Sequence, residues 1–489
     1  MILERLKALS KYGEIISGSR TEIKIRDEIK KFLEDVCDEI RITPIRTLNW
    51  EQRELIFECN GKRFNAISLP YSLSIDIEAQ VVGEFDECKN NVIKIKVNDL
   101  YEINKYYIRS VDSGCFGVIF TLDDKMRKFI IKYGDLLSYK PNPPPPIPAI
   151  YVKASDFPYI TGKCRILLKT SINPYATGYI IEGIVNSRNE NKAIHITAHH
   201  DHWFYGERDD LLAVALLPEF ASNLYEIHLI SFTAEESGAI NFSTFSWSYG
   251  SRTFLQKIIN LDNIILNINL DNIGENNIVI KTVPSMVTNI RKFYDNVISI
   301  PEIYTDSYSY VKKGIPSINI ESAPNPHYHS ESDIIEAKDD RIINNIKITI
   351  NLINRIINNN IEFNVKEMEE YLKNIMYNLP LSLKTYLINI TDKLNQNDIY
   401  ILRELFKFYG GIISLDKPYA NVKLFHKIIG IEEARSASSK ICIEDLGCLE
   451  KVKDYEEYNR YYSYYISELK EQITNDYLDK LYLLLKKFL

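Results

Sequence analysis

The sequence predicts an α/β protein: a mixed, mainly parallel sheet flanked by helices, carrying a mainly β insert and followed by a helical C-terminal domain. Three observations predict it. Strand and helix signals alternate between Tyr179 and Asn358, short β-branched runs with turns replace them between Asn49 and Lys169, and helical patterns rich in Leu, Tyr, Lys and Glu fill the chain after Val365. The expected units are 1–48, an N-terminal helical part of the α/β domain; 49–170, the insert; 171–364, the body of that domain; and 365–489, the helical domain.

Composition narrows the function classes. Hydrophobic residues at 45% and charged residues at 26% are ordinary globular values, and no apolar run reaches the length of a membrane span. A net charge of -7 without a basic stripe argues against nucleic acid as a partner, so small or peptide substrates fit better. Seven scattered cysteines, none in a CxxC pair, read as reduced thiols in a cytoplasmic, soluble protein.

Taken in order, Ser19-Arg20-Thr21-Glu22 has the form of a capping box, opening a helix with Ile23, Ile25, Ile29, Phe32, Leu33 and Val36 at its apolar positions. In the insert, Asn91–Val97 and Gly117–Phe120 read as strands. Pro143 to Pro148 forms a stiff connector whose missing donors exclude it from a central strand. Strand signals follow at Tyr179–Val185, Ala193–Ala198, Ile227–Thr233, Ile264–Leu270 and Ser317–Glu321, with a buried helix from Leu211 and a closing helix over Asp339–Asn358. The tail holds one histidine, His426, and reads as a packing or oligomerisation domain.

Seven of the eight histidines fall between His195 and His329. His199 and Asp201 follow a strand two residues apart, so their side chains project to one side while His200 points away. A carboxylate there suits the task of orienting a metal-bound imidazole. Asp209 and Asp210 open the next helix, where a plain N-cap is the bland alternative. Glu235-Glu236 and Asp271 follow two further strands, and His327-Tyr328-His329 lies in a polar loop. Two adjacent buried carboxylates repel unless a cation holds one, which leaves the other to act as a base. Singly these signals are weak; together, successive crossings of one sheet deliver nitrogen and oxygen ligands to one edge.

The order His-x-Asp, Gly-x-x-Asp-Asp, Glu-Glu-x-Gly, Leu-Asp and Tyr-His-Ser-x-x-Asp resembles the di-zinc exopeptidases of metallopeptidase family twenty-eight. That resemblance implies the zinc exopeptidase fold and two zinc ions, for which cobalt or manganese could stand in. It implies His199, Asp209, Glu236, Asp271 and His329 as metal ligands with Asp209 bridging, Glu235 as general base, Asp201 as the residue orienting His199, and a cis bond between Asp209 and Asp210. Gly114–Phe120 through Val152 is similar to a protease-associated module. Thr305-Asp306, Tyr310 and Gly314-Ile315-Pro316 are similar to the family's substrate-side segment.

The nine residues between His199 and Asp209 look most like the glutamate carboxypeptidase branch, whose helical C-terminal domain serves dimerisation. Where the family has a small residue and Ser-Gly after Asp-Asp, this chain has Leu211-Leu212-Ala213-Val214, and His202 replaces a serine. The expected activity is removal of N-terminal residues from peptides. Carboxypeptidase or dipeptidase action comes next, with Arg208 or Arg252 as the carboxylate anchor, then glutaminyl cyclisation, then a non-catalytic binding protein on the same scaffold.

Overall fold

The computed structural model describes residues 1–134, 141–186, 192–243, 245–258, 260–275, 277–299, 304–336, 339–368 and 370. Almost all of the expected C-terminal helical domain, and with it any homodimer contact through those helices, lies outside the described residues.

Five strands form the part of the sheet that carries the chemistry. Ser317–Ala323, Ile264–Leu270, Ala193–His199 and Glu226–Phe232 lie side by side and parallel, and Asn277–Thr282 joins antiparallel to Ser317–Ala323. Ala193–His199 and Ile264–Leu270 are buried along their whole length, because helices cover both faces. The helices include Arg20–Glu34, Leu212–Leu216 and Asp340–Ile357.

The first of these begins as the capping box predicts, Ser19 Oγ accepting from the Glu22 amide at 3.2 Å. Glu22 instead reaches the amides of Gly18 and, at 2.8 Å, Tyr179, which ties the helix start to the sheet. Ile25, Ile29 and Leu33 are buried, whereas the expected Ile23 and Val36 lie 40% and 39% exposed, outside the stripe.

The strands Glu39–Cys59 and Gly162–Val185 pair antiparallel from Glu39–Ile184 to Cys59–Cys164. The expected boundaries at 48/49 and 170/171 fall inside these strands, so the insert extends the sheet without a linker. At the far end of this ribbon the insert adds Ile75–Val82, Val92–Lys96, Gly117–Thr121 and Ala149–Tyr151, parallel to one another. Parallel neighbours need a crossover, here supplied in part by the helix Glu102–Asp112, so the insert is less purely β than its strand signals predict.

The expectation of reduced thiols is corrected for four cysteines. Cys59 bonds Cys164, and Cys88 bonds Cys115, all within the insert. Cys59 and Cys164 stand opposite each other on neighbouring strands although 105 positions apart in sequence, a proximity that spacing alone hides. Among the described residues no helix is long and apolar enough to cross a membrane.

Of the apolar cores among the described residues, the largest lies around the parallel strands and their helices; the second lies beneath the insert and takes in Trp203, Phe245, Trp247 and Tyr308 from the α/β body.

Candidate metal centre

Each strand that ends at the sheet's upper edge delivers a polar side chain there. His199 is the last residue of its strand, Glu235 and Glu236 follow Glu226–Phe232, and Asp271 follows Ile264–Leu270. Asp209 sits in the turn before Leu212–Leu216, and His329 in the loop beyond Ser317–Ala323. That turn depends on Gly206 at φ +52, since a Cβ there would strike the His202 ring.

The side chains converge as two groups, His199, Asp209 and Asp271, and Asp209, Glu236 and His329, each with ligand atoms within 4.8 Å of one another. Asp209 belongs to both. Its Oδ1 lies 3.4 Å from His199 Nε2 and its Oδ2 lies 3.6 Å from His329 Nε2, which is 2.7 Å from Glu236 Oε1. The Asp209–Asp210 bond is cis, as the resemblance implies.

The electrostatics of this cluster call for a cation. Asp209, Asp210, Glu235 and Glu236 are buried, and Asp271 is nearly so. Burial first, then the charges of Glu236, Asp271 and Asp306, push the Glu235 carboxyl well above the ordinary range. Burial together with Asp210 and Asp209 does the same to Asp271. Against burial, Asp209, Asp210, Glu235 and Asp271 hold the His199 imidazole well above its usual value. Asp209 Oδ2 is buried without a hydrogen-bond partner. Crowded carboxylates facing two imidazoles, with an orphaned carboxylate oxygen between them, fit divalent cation binding; nitrogen and oxygen donors without thiolate suit zinc.

The two histidines are held in the ligating tautomer. His199 Nδ1 donates to the Asp201 main-chain carbonyl at 2.9 Å, and His329 Nδ1 donates to the Lys128 carbonyl at 3.1 Å, which turns each Nε2 lone pair toward the acids. The expected contact of the Asp201 carboxylate with His199 is therefore corrected: the backbone, not the side chain, reaches the imidazole. The Asp201 carboxylate instead accepts from the amides of Glu235 at 2.9 Å, Glu236 at 3.1 Å and Ser237 at 3.4 Å, because the chain turns after His199 and aims it under the neighbouring loop.

Several positioning residues escape sequence reasoning. Asp210 accepts from the amides of His199 at 3.2 Å and Asn272 at 3.1 Å, joining two ligand-bearing strand ends. Trp203 Nε1 donates to Glu236 Oε2 at 3.2 Å, and Ser248 Oγ to Glu235 Oε1 at 3.1 Å. Asp333 accepts from the Arg208 and Asp209 amides at 3.1 and 3.3 Å. The Asp in Tyr-His-Ser-x-x-Asp was the available signal for Asp333, and the second Asp of Gly-x-x-Asp-Asp the signal for Asp210; Trp203 and Ser248 carry none, since Trp and Ser are common in such turns.

Arg208, expected to bind substrate, is buried, its Nε donating to Glu275 at 2.9 Å and its Nη1 to the Ile334 carbonyl at 2.7 Å. It serves an internal ion pair, which corrects that expectation. Arg252 Nη2 donates to the Phe245 carbonyl at 3.3 Å. His200 faces Ser231 and Glu22, and the His202 ring nitrogens face the main-chain carbonyls of His200 and Gly13, so neither joins the cluster. Tyr310 is buried against His195, 3.0 Å from its Nδ1, while Thr305 lines the site's cavity.

That cavity encloses about 510 Å³ and exposes His199, Asp209, Glu235, Glu236 and Asp271 on its floor. Tyr101, Trp247, Tyr304 and Tyr328 give it an aromatic wall, and Leu100, Leu122 and Arg127 come from the insert.

Residues 180–353 match the sequence profile of Peptidase family M28. The fold is similar to that of a Peptidase M28 precursor from Shewanella amazonensis (TM-score 0.60, 14% identity, covering 74% of this chain and 93% of that one). It is similar as well to BSAP, a zinc aminopeptidase from Bacillus subtilis (TM-score 0.57, 16% identity, 73% and 94%). The aminopeptidase from Aneurinibacillus sp. strain AM-1 has a TM-score of 0.51 at 16% identity, with 73% and 93% covered. At such identities the likeness is one of fold. Among curated proteins no sequence matches.

Proposed function

We propose that this chain, whose residues 180–353 match Peptidase family M28, is a zinc-dependent exopeptidase that removes N-terminal residues from peptides. One observation carries the reading: two buried ligand groups share Asp209, with Glu235 beside them in a cavity of peptide size.

In this reading His199, Asp209 and Asp271 would hold one zinc ion and Asp209, Glu236 and His329 a second. When bound they would polarise the scissile carbonyl and make water a nucleophile at neutral pH. The Glu235 carboxylate takes the proton of the attacking water and returns it to the leaving amine. Ser248 keeps Glu235 Oε1 oriented for that transfer. Asp201 holds the Glu235 and Glu236 amides, so base and ligand stay in register. The protease-associated-like insert walls the cavity and excludes water from one side.

The choice of an N-terminal over a C-terminal substrate end rests on the cavity's cations. A carboxypeptidase needs a cation for the terminal carboxylate. Lys281 is paired with Glu321 at 2.8 Å, and Arg127 with Asp123 at 2.7 Å, so the described cations of the wall already have anionic partners. The disulfides support an oxidising compartment rather than the cytoplasm. A count of free thiols in the denatured, unreduced protein checks this: four fewer than the seven cysteines supports it, and seven reactive thiols refutes it.

The activity is tested with a panel of aminoacyl-anilides and of blocked and free dipeptides, assayed before chelation, after it, and after zinc is restored. Release from free-amine substrates that chelation stops and zinc restores is expected; no metal-dependent release from any member would sink the reading.

A further inference from the structure

His329 sits in a stretch from Pro324 to Asp333 with no helix or strand, at φ 54. A residue with a Cβ in that left-handed region costs roughly 1 kcal/mol or more, so the loop needs an outside hold to present its imidazole. The hold comes from the insert, 201 residues earlier in sequence. The Lys128 amide donates to the His329 carbonyl at 3.0 Å while the Lys128 carbonyl accepts from His329 Nδ1 at 3.1 Å, a reciprocal pair. The Glu331 amide donates to the Met126 carbonyl at 3.0 Å, and Lys125 Nζ to the Pro326 carbonyl at 2.6 Å.

Arg127 fastens this clasp. Its guanidinium, 5% exposed, donates to the Tyr328 carbonyl and, at 2.8 Å, to the Pro326 carbonyl. On its other edge Asp123 receives Nε at 3.0 Å and Nη2 at 2.7 Å, which fixes the plane of the fork. The bonds to residues 326 and 328 fix the chain just before the ligand without touching its side chain.

We propose that Arg127 is a positioning residue for His329, so that the insert sets the zinc affinity of the group formed by Asp209, Glu236 and His329 and leaves the group formed by His199, Asp209 and Asp271 nearly unaffected. The inference rests on the metallopeptidase reading above. Substitutions in the partners that orient a metal ligand typically weaken binding about 10–100-fold.

The test is zinc binding by the metal-stripped full-length protein, in competition with a chromogenic chelator and without substrate. Wild type should show two constants. Arg127→Ala should weaken one of them by about 10–100-fold and change the other by less than about threefold, and Arg127→Lys, which keeps the charge but not the fork, should recover part of the loss. Both constants unchanged in Arg127→Ala, or both weakened alike in a variant that melts as the wild type does, would overturn the proposal. Wild type that takes up no zinc would instead overturn the metallopeptidase reading. If Arg127→Ala does not fold, as read by melting of the stripped protein, Asp123→Asn replaces it. The same single constant must then weaken several-fold, and an unchanged constant overturns the proposal.

Discussion

The two ligand histidines reach the centre by opposite routes. His199 is the last residue of a strand buried along its whole length, and its amide is pinned by Asp210, which also pins Asn272 just beyond the adjoining strand. His329 rides on an irregular loop and is held by the backbone of Lys128 in another part of the chain. The sheet edge thus supplies one half of the site from its own rigidity, and the insert supplies the stiffness the other half lacks. An insert that clasps a ligand loop while walling the cavity ties pocket shape to metal retention, and neither can drift without the other.

The largest effect is expected where the halves meet. Glu235→Gln should lower kcat roughly 10²–10⁴-fold with zinc content unchanged, since it removes the proton acceptor and no ligand. Metal analysis beside turnover checks this, and zinc loss in that variant would contradict the assignment.

On the sheet side, Asp201→Ala strands the buried amides of Glu235 and Glu236. Each unpaired donor costs about 1–3 kcal/mol, so the metal-stripped variant should melt several degrees lower and lose kcat more than KM. Unchanged melting would show that the sheet edge does not depend on this internal hold.

The smallest effect lies in the strand Glu226–Phe232, which leads into the Glu235 loop. Against burial, Glu182 and Glu226 hold His228 above its ordinary value, 2.6 and 2.8 Å from its ring nitrogens. A raised folded value means the contribution is fully present below the unfolded value of about 6.5 and is lost as pH rises through the folded one. His228→Gln should therefore cost of order 1 kcal/mol at pH 6 and progressively less toward pH 9 in denaturant melts, with zinc affinity unaltered.

The comparison also marks what was legible in the sequence. The strand-borne ligands were readable because a β-branched run ending in a polar cluster recurs at His199, Glu235 and Asp271, and alternation fixes which side chains face the edge. The clasp was not, because the groups that meet His329 are main-chain amide and carbonyl, which every residue has, from a segment with no motif. Asp201 shows the same limit in miniature: strand alternation ends at His199, and the turn after it sends the Asp201 carboxylate to the Glu235 loop. The paired cysteines escaped because register, not spacing, brings Cys59 to Cys164.

The most direct measurement is the zinc content of the purified, dialysed wild type beside His199→Ala and His329→Ala. Two equivalents per chain, falling to about one in each variant while Asp209→Ala loses both, is the expected result. A wild type that binds a single equivalent, or a His329→Ala protein that keeps two, would contradict a centre built by two regions around one shared carboxylate.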